Sequence, residues 1–455
     1  MREQSPWTPR LSGIPGTVHE RLVSALTEDI ERGVVGVGAR LPAHRDLAGR
    51  LGIGIGTVTK AYSELERRGL VRGVHGRGTF VAGLQRQSRD IVDLSVNVPP
   101  PLLGDRLLAD TLTALAGTLD AEAFARYPDP AGSLHHRAAI TAWLHDQGLD
   151  TPPERVLLTH GAQHAVSVAL TAAAGPSGVI LTETSTYPGA IAAARQAGQT
   201  LVPVAMDAHG MLPDALHFAL TQIGPEHRRT VYVTPTLHNP TGSTMDARRR
   251  RKIVEVCRAH DVTIIEDDVY SLFRPRNISP IAQLAPERTF YVNGFSKSLT
   301  PGLRIGVLVA PEASSSDAAD ILQVTSLALS PLMCEVARRW ITDGTARHIG
   351  LALRAEAEER LDLAVTILDR HIARVPHSGF HLWLPLPRAT AEEVTLRAAH
   401  AGIIVTPPAA TTVDPEAEHA GVRLCLGGPP VPQLTGALHA LKHILDRPGF
   451  DRTRT

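Results

Sequence analysis

The sequence predicts two parts: a small helical domain closed by a β-hairpin, then a large α/β body on a mostly parallel sheet. Three observations carry this. Apolar residues recur at helical spacing in three successive segments before residue 67, and two short β-like runs with glycines between them follow. From Ile91 onward, short apolar runs alternate with alanine-rich helical stretches. Between the parts lies a short polar connection, Gly83-Leu84-Gln85-Arg86-Gln87-Ser88.

At 455 residues the chain is long enough for two or three domains, and 43% hydrophobic with 20% charged residues is the composition of a soluble globular protein. Cys257, Cys334 and Cys425 are scattered, with no metal or redox spacing, which suits a reducing cytoplasm. The amino terminus has no apolar segment of signal-peptide type, and no apolar run is long enough to span a bilayer. The net charge of zero hides an asymmetry. Residues 1–88 hold 13 Lys and Arg against 8 Asp and Glu, a balance of +5; the rest hold 33 against 38. A basic amino-terminal segment on a mildly acidic body points to nucleic acid.

In that segment, Val18, Leu22, Leu26 and Ile30 make one helical stripe. After Pro42, residues 43–51 read as a second helix ended by Gly52. A third begins near Gly56-Thr57, with Val58, Tyr62 and Leu65 on one face and Gly69 after it. Leu70-Val71-Arg72 and Thr79-Phe80-Val81 read as strands around Gly73, Gly76 and Gly78. The spacing fits a winged helix-turn-helix, and equally a plain three-helix bundle. The words Leu41-Pro42-Ala43-His44-Arg45-Asp46-Leu47-Ala48, Gly56-Thr57-Val58-Thr59-Lys60-Ala61-Tyr62 and Gly76-Arg77-Gly78-Thr79-Phe80-Val81 resemble the DNA-binding domain of GntR-type repressors. The resemblance implies that Arg45 contacts phosphate, that Thr57 and Lys60 lie on the recognition helix, and that Arg77 and Gly78 form the wing tip. Ile55-Gly56 stands where family members often carry Ser-Arg, which removes a guanine-reading arginine and leaves the phosphate contacts.

In the body, Tyr127-Pro128-Asp129-Pro130-Ala131-Gly132 is a turn before a helix with Leu134, Ile140 and Leu144. Val156-Leu157-Leu158-Thr159 is a strand, and His160-Gly161-Ala162-Gln163 opens the helix after it, where free N–H groups favour phosphate. Val179-Ile180-Leu181 is the next strand, followed by Tyr187-Pro188-Gly189, whose ring could stack on a flat ligand. Residues 230–235 form another strand, closed by the turn His238-Asn239-Pro240-Thr241-Gly242. Residues 262–265 run into Glu266-Asp267-Asp268-Val269-Tyr270, and a carboxylate ending a central apolar strand needs a partner.

Residues 296–306, Ser-Lys-Ser-Leu-Thr-Pro-Gly-Leu-Arg-Ile-Gly, lie between β-like runs at 289–293 and 307–309. Burying a lysine is costly and lowers its pKa, which makes the amine a nucleophile toward an aldehyde. The planar fork of Arg304 suits a phosphate, and Ser296 adds a hydroxyl. Together they suit a phosphorylated aldehyde; a surface lysine in a loop is the alternative. Further on, 379–384, 403–405 and 421–426 read as strands, and Arg423 inside the last demands an anion.

The lysine stretch resembles the lysine loop of fold-type I enzymes that use pyridoxal 5'-phosphate (PLP). The resemblance implies that Lys297 is the catalytic Schiff-base residue, and that Ser296, Arg304, Gly161, Ala162 and Gln163 bind the phosphate. It implies that Tyr187 stacks on the ring, that Asn239 and Tyr270 bond its phenolic oxygen, and that Asp267 pairs with its nitrogen. Asp268 is the alternative by one register. Tyr127 would reach the phosphate of a neighbouring subunit and so implies a homodimer. Arg423 would bind a substrate carboxylate, with a structural ion pair as the alternative.

With both parts joined, the chain resembles the MocR subgroup of GntR regulators, a winged helix fused to a class I/II aminotransferase-like body. The expected boundaries are 12–82 for the winged helix, 83–90 for the linker, 91–327 for the large domain and 328–455 for the small one. The linker is shorter than is usual in that subgroup, which implies tight coupling between the parts. The implied function is a cytoplasmic, PLP-binding transcriptional regulator that binds a double-stranded DNA operator and senses PLP, an amino acid or an amine through Lys297. An active PLP-dependent aminotransferase acting on an amino acid is the alternative, and a cofactor-holding DNA-binding protein without sensing is a third. No metal and no membrane are expected.

Overall fold

The computed structural model describes residues 7–11, 16–32, 34–36, 38–67, 70–74, 78–81, 91–117, 125–414, 417 and 419–446. The chain divides into two compact units, Met1–Asp90 and Ile91–Thr455. In the first, helices Val18–Glu31, His44–Leu51 and Ile55–Arg67 precede strands Val71–Val74 and Gly78–Val81. Thr17 caps the first helix and Glu20 returns the bond, a reciprocal capping box. Leu22, Leu26 and Ile30 bury against Leu47, Val58, Tyr62 and Leu65 in one core. The Tyr62 hydroxyl donates to the Pro42 carbonyl at 3.0 Å, which ties the third helix to the turn before the second. The strands pair antiparallel, and Arg40 bridges to Phe80 on the hairpin's outer edge. This is a winged helix, not a plain bundle. Arg77 and the linker 83–90 lie outside the described residues.

The second unit is built on a seven-stranded sheet in the order Val156–Thr159, Gly306–Val309, Thr289–Gly294, Thr263–Asp267, Arg229–Val233, Val179–Glu183 and Thr200–Val204. Gly306–Val309 runs against both its neighbours, and the remaining strands are parallel. Helices cover both faces, so the central strands are buried throughout, as their unbroken apolar runs require. Ala162–Ala174 lies on one face through small residues such as Ala165, Ala169 and Ala172. The parallel strands end along one edge. From that edge leave the loops that carry Gly161, Tyr187, Asn239 and Lys297, and Asp267 is the last residue of its strand. Open α/β sheets bind ligands in the crevice beyond these carboxyl ends.

A second core holds the antiparallel pair His381–Pro387 and His419–Cys425 and the helices Arg388–His400 and Val431–Leu445. Val92–Leu94 pairs in parallel with Ile403–Val405, and Val92 and Leu94 pack in this core. The first strand of the large domain expected at 91–327 therefore pairs and packs with the carboxyl-terminal part. Helix Thr345–Leu368 joins the parts: Ile349, Leu353 and Ala357 bury beside the large sheet, and Leu361, Ala364 and Ile367 in the small core. No helix among the described residues is long and apolar enough to cross a membrane.

One buried ion pair fixes the central strand ends. Arg250 and Glu266 are fully buried, with Nη1 3.2 Å from Oε1. Arg250 also donates to the carbonyls of Met245 and Pro235 and to the Thr236 hydroxyl. Glu266 accepts from the backbone of Ile281 and Ala282 at 2.8 and 2.7 Å. The pair thus holds the segment leading to Asn239 beside the strand ending in Asp267. Arg250→Met strands the glutamate in the core and is expected to cost about 3–5 kcal/mol in chemical denaturation, while Arg250→Met with Glu266→Met recovers most of it. Equal losses in the single and double variants would contradict this.

Candidate functional site

A cavity of about 590 Å³ opens at the carboxyl ends of the strands. Ala162, Gln163, Tyr187, Asn239 and Asp267 line it from the sheet side. Tyr270, Ser296, Lys297 and Arg304 line it from the following loops, and Arg423 from the small core. Gly161 sits just behind the wall with φ of +79°, and a Cβ there would lie 2.7 Å from the Arg304 guanidinium. Only glycine combines that conformation with that approach. Tyr127 is not in this cavity: it is 88% exposed and lines a smaller one.

Strand alternation separates the two aspartates. Asp267 faces the cavity, where Oδ2 accepts from the Tyr232 hydroxyl at 2.6 Å and Oδ1 from the Val269 N–H at 3.4 Å. Burial lifts its pKa to about 6 against the donation from Tyr232. Asp268 turns the other way, into a buried pair with Arg274, and accepts from Tyr291 at 3.0 Å. Among the described residues no lysine or arginine pairs with Asp267.

Lys297 follows strand Thr289–Gly294, and its Nζ donates to the Asn97 carbonyl. Burial lowers its pKa to about 8; Cys425 and Asp267 oppose this, and Arg423 and Arg304 add to it. The neutral, nucleophilic form of the amine is therefore far more populated near neutral pH than in an ordinary lysine. The Asn97 side chain donates to the Tyr270 hydroxyl at 2.7 Å, and its own oxygen is buried without a partner. Burial also raises the Tyr187 and Tyr270 hydroxyls, which stay protonated.

Arg423 is buried and meets no carboxylate among the described residues, so the structural ion pair is absent. It donates to Asn239 Oδ1 at 2.5 Å, to the Ser95 carbonyl at 2.6 Å and to the Thr406 hydroxyl at 2.9 Å. Its Nε is buried and has no partner among the described residues. Gln163 donates to the Gly189 carbonyl at 2.8 Å and leaves Oε1 unpartnered. Sequence reading missed Asn97, Ser95, Thr406 and Tyr232. Only Asn97 left a signal, a polar residue inside Ser95-Val96-Asn97-Val98-Pro99-Pro100.

On the winged-helix unit, Arg45 is exposed in the first turn of the second helix. Lys60 is exposed and Thr57 partly exposed on the third. Gly78 opens the second wing strand, exposed, with φ of +112°. Ile55 is exposed in the first turn of the third helix.

Fold and cavity define an aminotransferase-like protein carrying a helix-turn-helix domain, and comparison with known proteins agrees. Residues 89–441 match aminotransferase class I and II, and the chain belongs to that family. Residues 18–81 match the bacterial regulatory proteins of the gntR family, so the whole has the architecture of the MocR subgroup. The chain is 26% identical to the HTH-type transcriptional regulator YdeF of Bacillus subtilis, over 97% of each chain. It is 28% identical to the pyridoxine biosynthesis regulator PdxR of Corynebacterium glutamicum, covering 75% of this chain and 76% of that one. An archaeal alanine:glyoxylate aminotransferase shares the fold with a TM-score of 0.71 at 22% identity, over 88% of this chain and 98% of that one.

The raised Asp267 carboxyl has a consequence for stability. The folded chain holds this proton more tightly than an unfolded chain, so its contribution favours folding at acid pH and is lost as the pH rises from about 4 through about 6. Cofactor-free Asp267→Asn is expected to be more stable than the parent by about 3 kcal/mol above pH 7, with the gain vanishing near pH 4. Thermal unfolding at several pH values measures it; a gain independent of pH would contradict the assignment.

Proposed function

We propose that the cavity binds PLP and that the chain is a transcriptional regulator whose DNA-binding unit responds to what occupies Lys297. The observation that carries this is a buried carboxylate without a cation, Asp267, sharing one cavity with an amine of lowered pKa, Lys297. The donor set fits the cofactor's parts. The Ala162 and Gln163 N–H groups open the helix ahead of the first pair that bonds the Gly161 carbonyl, His164 and Ala165, and Arg304 stands against Gly161 beside them, so this end suits a phosphate. Asp267 suits a protonated ring nitrogen, and Asn239 and Tyr270 add polar groups to the same cavity. When bound, PLP supplies an aldehyde that condenses with amines and a ring that withdraws electrons.

The chain's own residues then have separate tasks. Lys297 is the nucleophile and can move a proton at the carbon next to it. Asp267 would keep the ring nitrogen charged, and Tyr187 would cover the ring face. Ser296, Arg304, Gly161, Ala162 and Gln163 would hold the phosphate. Arg423 would fix the carboxylate of an amino acid. Tyr127 lies outside the cavity and is exposed, so it would reach the phosphate only across a subunit boundary, which makes the working unit a homodimer. In the other unit, Arg45 and Lys60 would contact DNA phosphates, with Thr57 on the recognition helix and Gly78, with Arg77, at the wing.

The relatives' names support a signal in vitamin B6 metabolism. Besides PdxR, the vitamin B6 salvage pathway repressor PtsJ of Salmonella typhimurium is 28% identical over 82% of this chain. PLP itself, or PLP condensed with an amino acid or amine, is the proposed effector. Such an effector must favour one arrangement of the DNA-binding units over another. Transamination is the second reading. Arg423 Nε, buried without a partner among the described residues, supports an amino acid as the ligand in either reading, because its carboxylate would satisfy that group beside Lys297.

Visible spectra during addition of amino acids and amines test this, with Lys297→Ala as control. A new stable absorbing species supports sensing. Conversion to the amine form of the cofactor, reversed by a keto acid, supports transamination. No chromophore after PLP is added would overturn the cavity assignment. On DNA, Arg45→Ala and Lys60→Ala are each expected to weaken binding across sequences and lower the salt slope by about one; an unchanged slope would remove them from the interface.

A further inference from the structure

A second group of ligand-type side chains lies outside this cavity. His135 and His136 are in the first turn of helix Leu134–Asp146, and Glu335 is on helix Pro331–Thr342. The Nε2 atoms of His135 and His136 lie 3.0 and 2.9 Å from the same oxygen, Glu335 Oε1. All three ligand atoms fall within 4.8 Å of one another. Two of the side chains are held from behind. Ser133 Oγ is 2.6 Å from His136 Nδ1, and Arg338 Nε donates to Glu335 Oε2 at 2.9 Å. The outer side is open: His135 is exposed, and a cavity of about 330 Å³ lined by Tyr127, Asp129 and Cys334 reaches both histidines.

We propose that His135, His136 and Glu335 bind a divalent transition ion of the zinc class, with water from the cavity in the fourth position. Two imidazoles and one carboxylate suit zinc, while magnesium and calcium prefer oxygen ligands. When the Ser133 hydroxyl accepts from Nδ1–H, His136 turns a bare Nε2 lone pair on the carboxylate, and an ion between them relieves that repulsion. The competing arrangement keeps a proton on each Nε2 and needs no ion. Bonds of about 2.0–2.1 Å place tetrahedral ligand atoms about 3.3 Å apart, so the two histidine–carboxylate separations of 3.0 and 2.9 Å must open by a few tenths of an ångström. The exposed side chain of His135 can supply that movement. Ligands, support from behind and an entry path are what a metal site requires. The ion would clamp two helices beside the Tyr127 loop and is independent of PLP.

Calorimetric titration of the chelator-treated, cofactor-free full chain with zinc chloride tests this, with cobalt(II) absorption as a report on geometry. The expected result is one ion per chain and a tetrahedral cobalt spectrum. His135→Ala and Glu335→Gln should each abolish both signals, and Ser133→Ala should weaken zinc about tenfold. His135 is exposed, so its variant should fold normally, which circular dichroism verifies. No zinc uptake by the parent overturns the proposal, as does uptake unchanged in either ligand variant.

Discussion

Asp267 ends a parallel strand buried within the sheet, and no lysine or arginine among the described residues meets its carboxylate. Desolvating an anion without a partner is expensive, and here the folded chain answers by holding the proton more tightly. The site around it follows from that position. The neighbouring strands deliver Gly161, Tyr187, Asn239 and Lys297 to the same edge, and the small core closes the far side with Arg423. A cationic aromatic ring placed there would complete the aspartate and lie within reach of the Lys297 amine. A cationic ligand at that position would offset the cost of burying the carboxylate.

The rest of the body keeps those strand ends in register. Arg250 and Glu266 tie the Pro235 turn to the strand of Asp267, and the Arg274–Asp268 pair anchors the next residue on the opposite face. Helix Thr345–Leu368 runs between the two cores, so movement of the small core relative to the sheet would carry Arg423, Ser95 and Thr406 against Lys297 and Asn239. This gives a ligand in the cavity a physical route to the shape of the whole body.

Much of the site was legible because it is written in short words at strand ends. Gly161-Ala162-Gln163, Asn239-Pro240-Thr241-Gly242, Asp267 to Tyr270 and Ser296 to Arg304 each place polar or turn-forming residues directly after an apolar run. What stayed hidden is held at long range. Asn97 meets Lys297 from 200 residues away and Tyr270 from 173, and Tyr232 is one of several inward residues on its strand. Val92–Leu94 reads as the first strand of the body, yet its partner is Ile403–Val405, a pairing that periodicity does not encode. The choice between Asp267 and Asp268 needed the sheet itself, because alternation in a strand fixes which faces the cavity only once one neighbour is placed. His135, His136 and Glu335 were invisible for the same reason: two adjacent histidines carry no signal until a distant helix brings the carboxylate.

Lys297 is the point at which an aldehyde would be held. The composition makes this unusually easy to test, since the chain has only four lysines: Lys60, Lys252, Lys297 and Lys442. Incubation with PLP, reduction with borohydride and peptide mass mapping would locate the attached group. The label is expected on Lys297, with the remaining lysines unmodified and Asp267→Asn reducing the yield. Label on another lysine, or spread evenly over all of them, would contradict it.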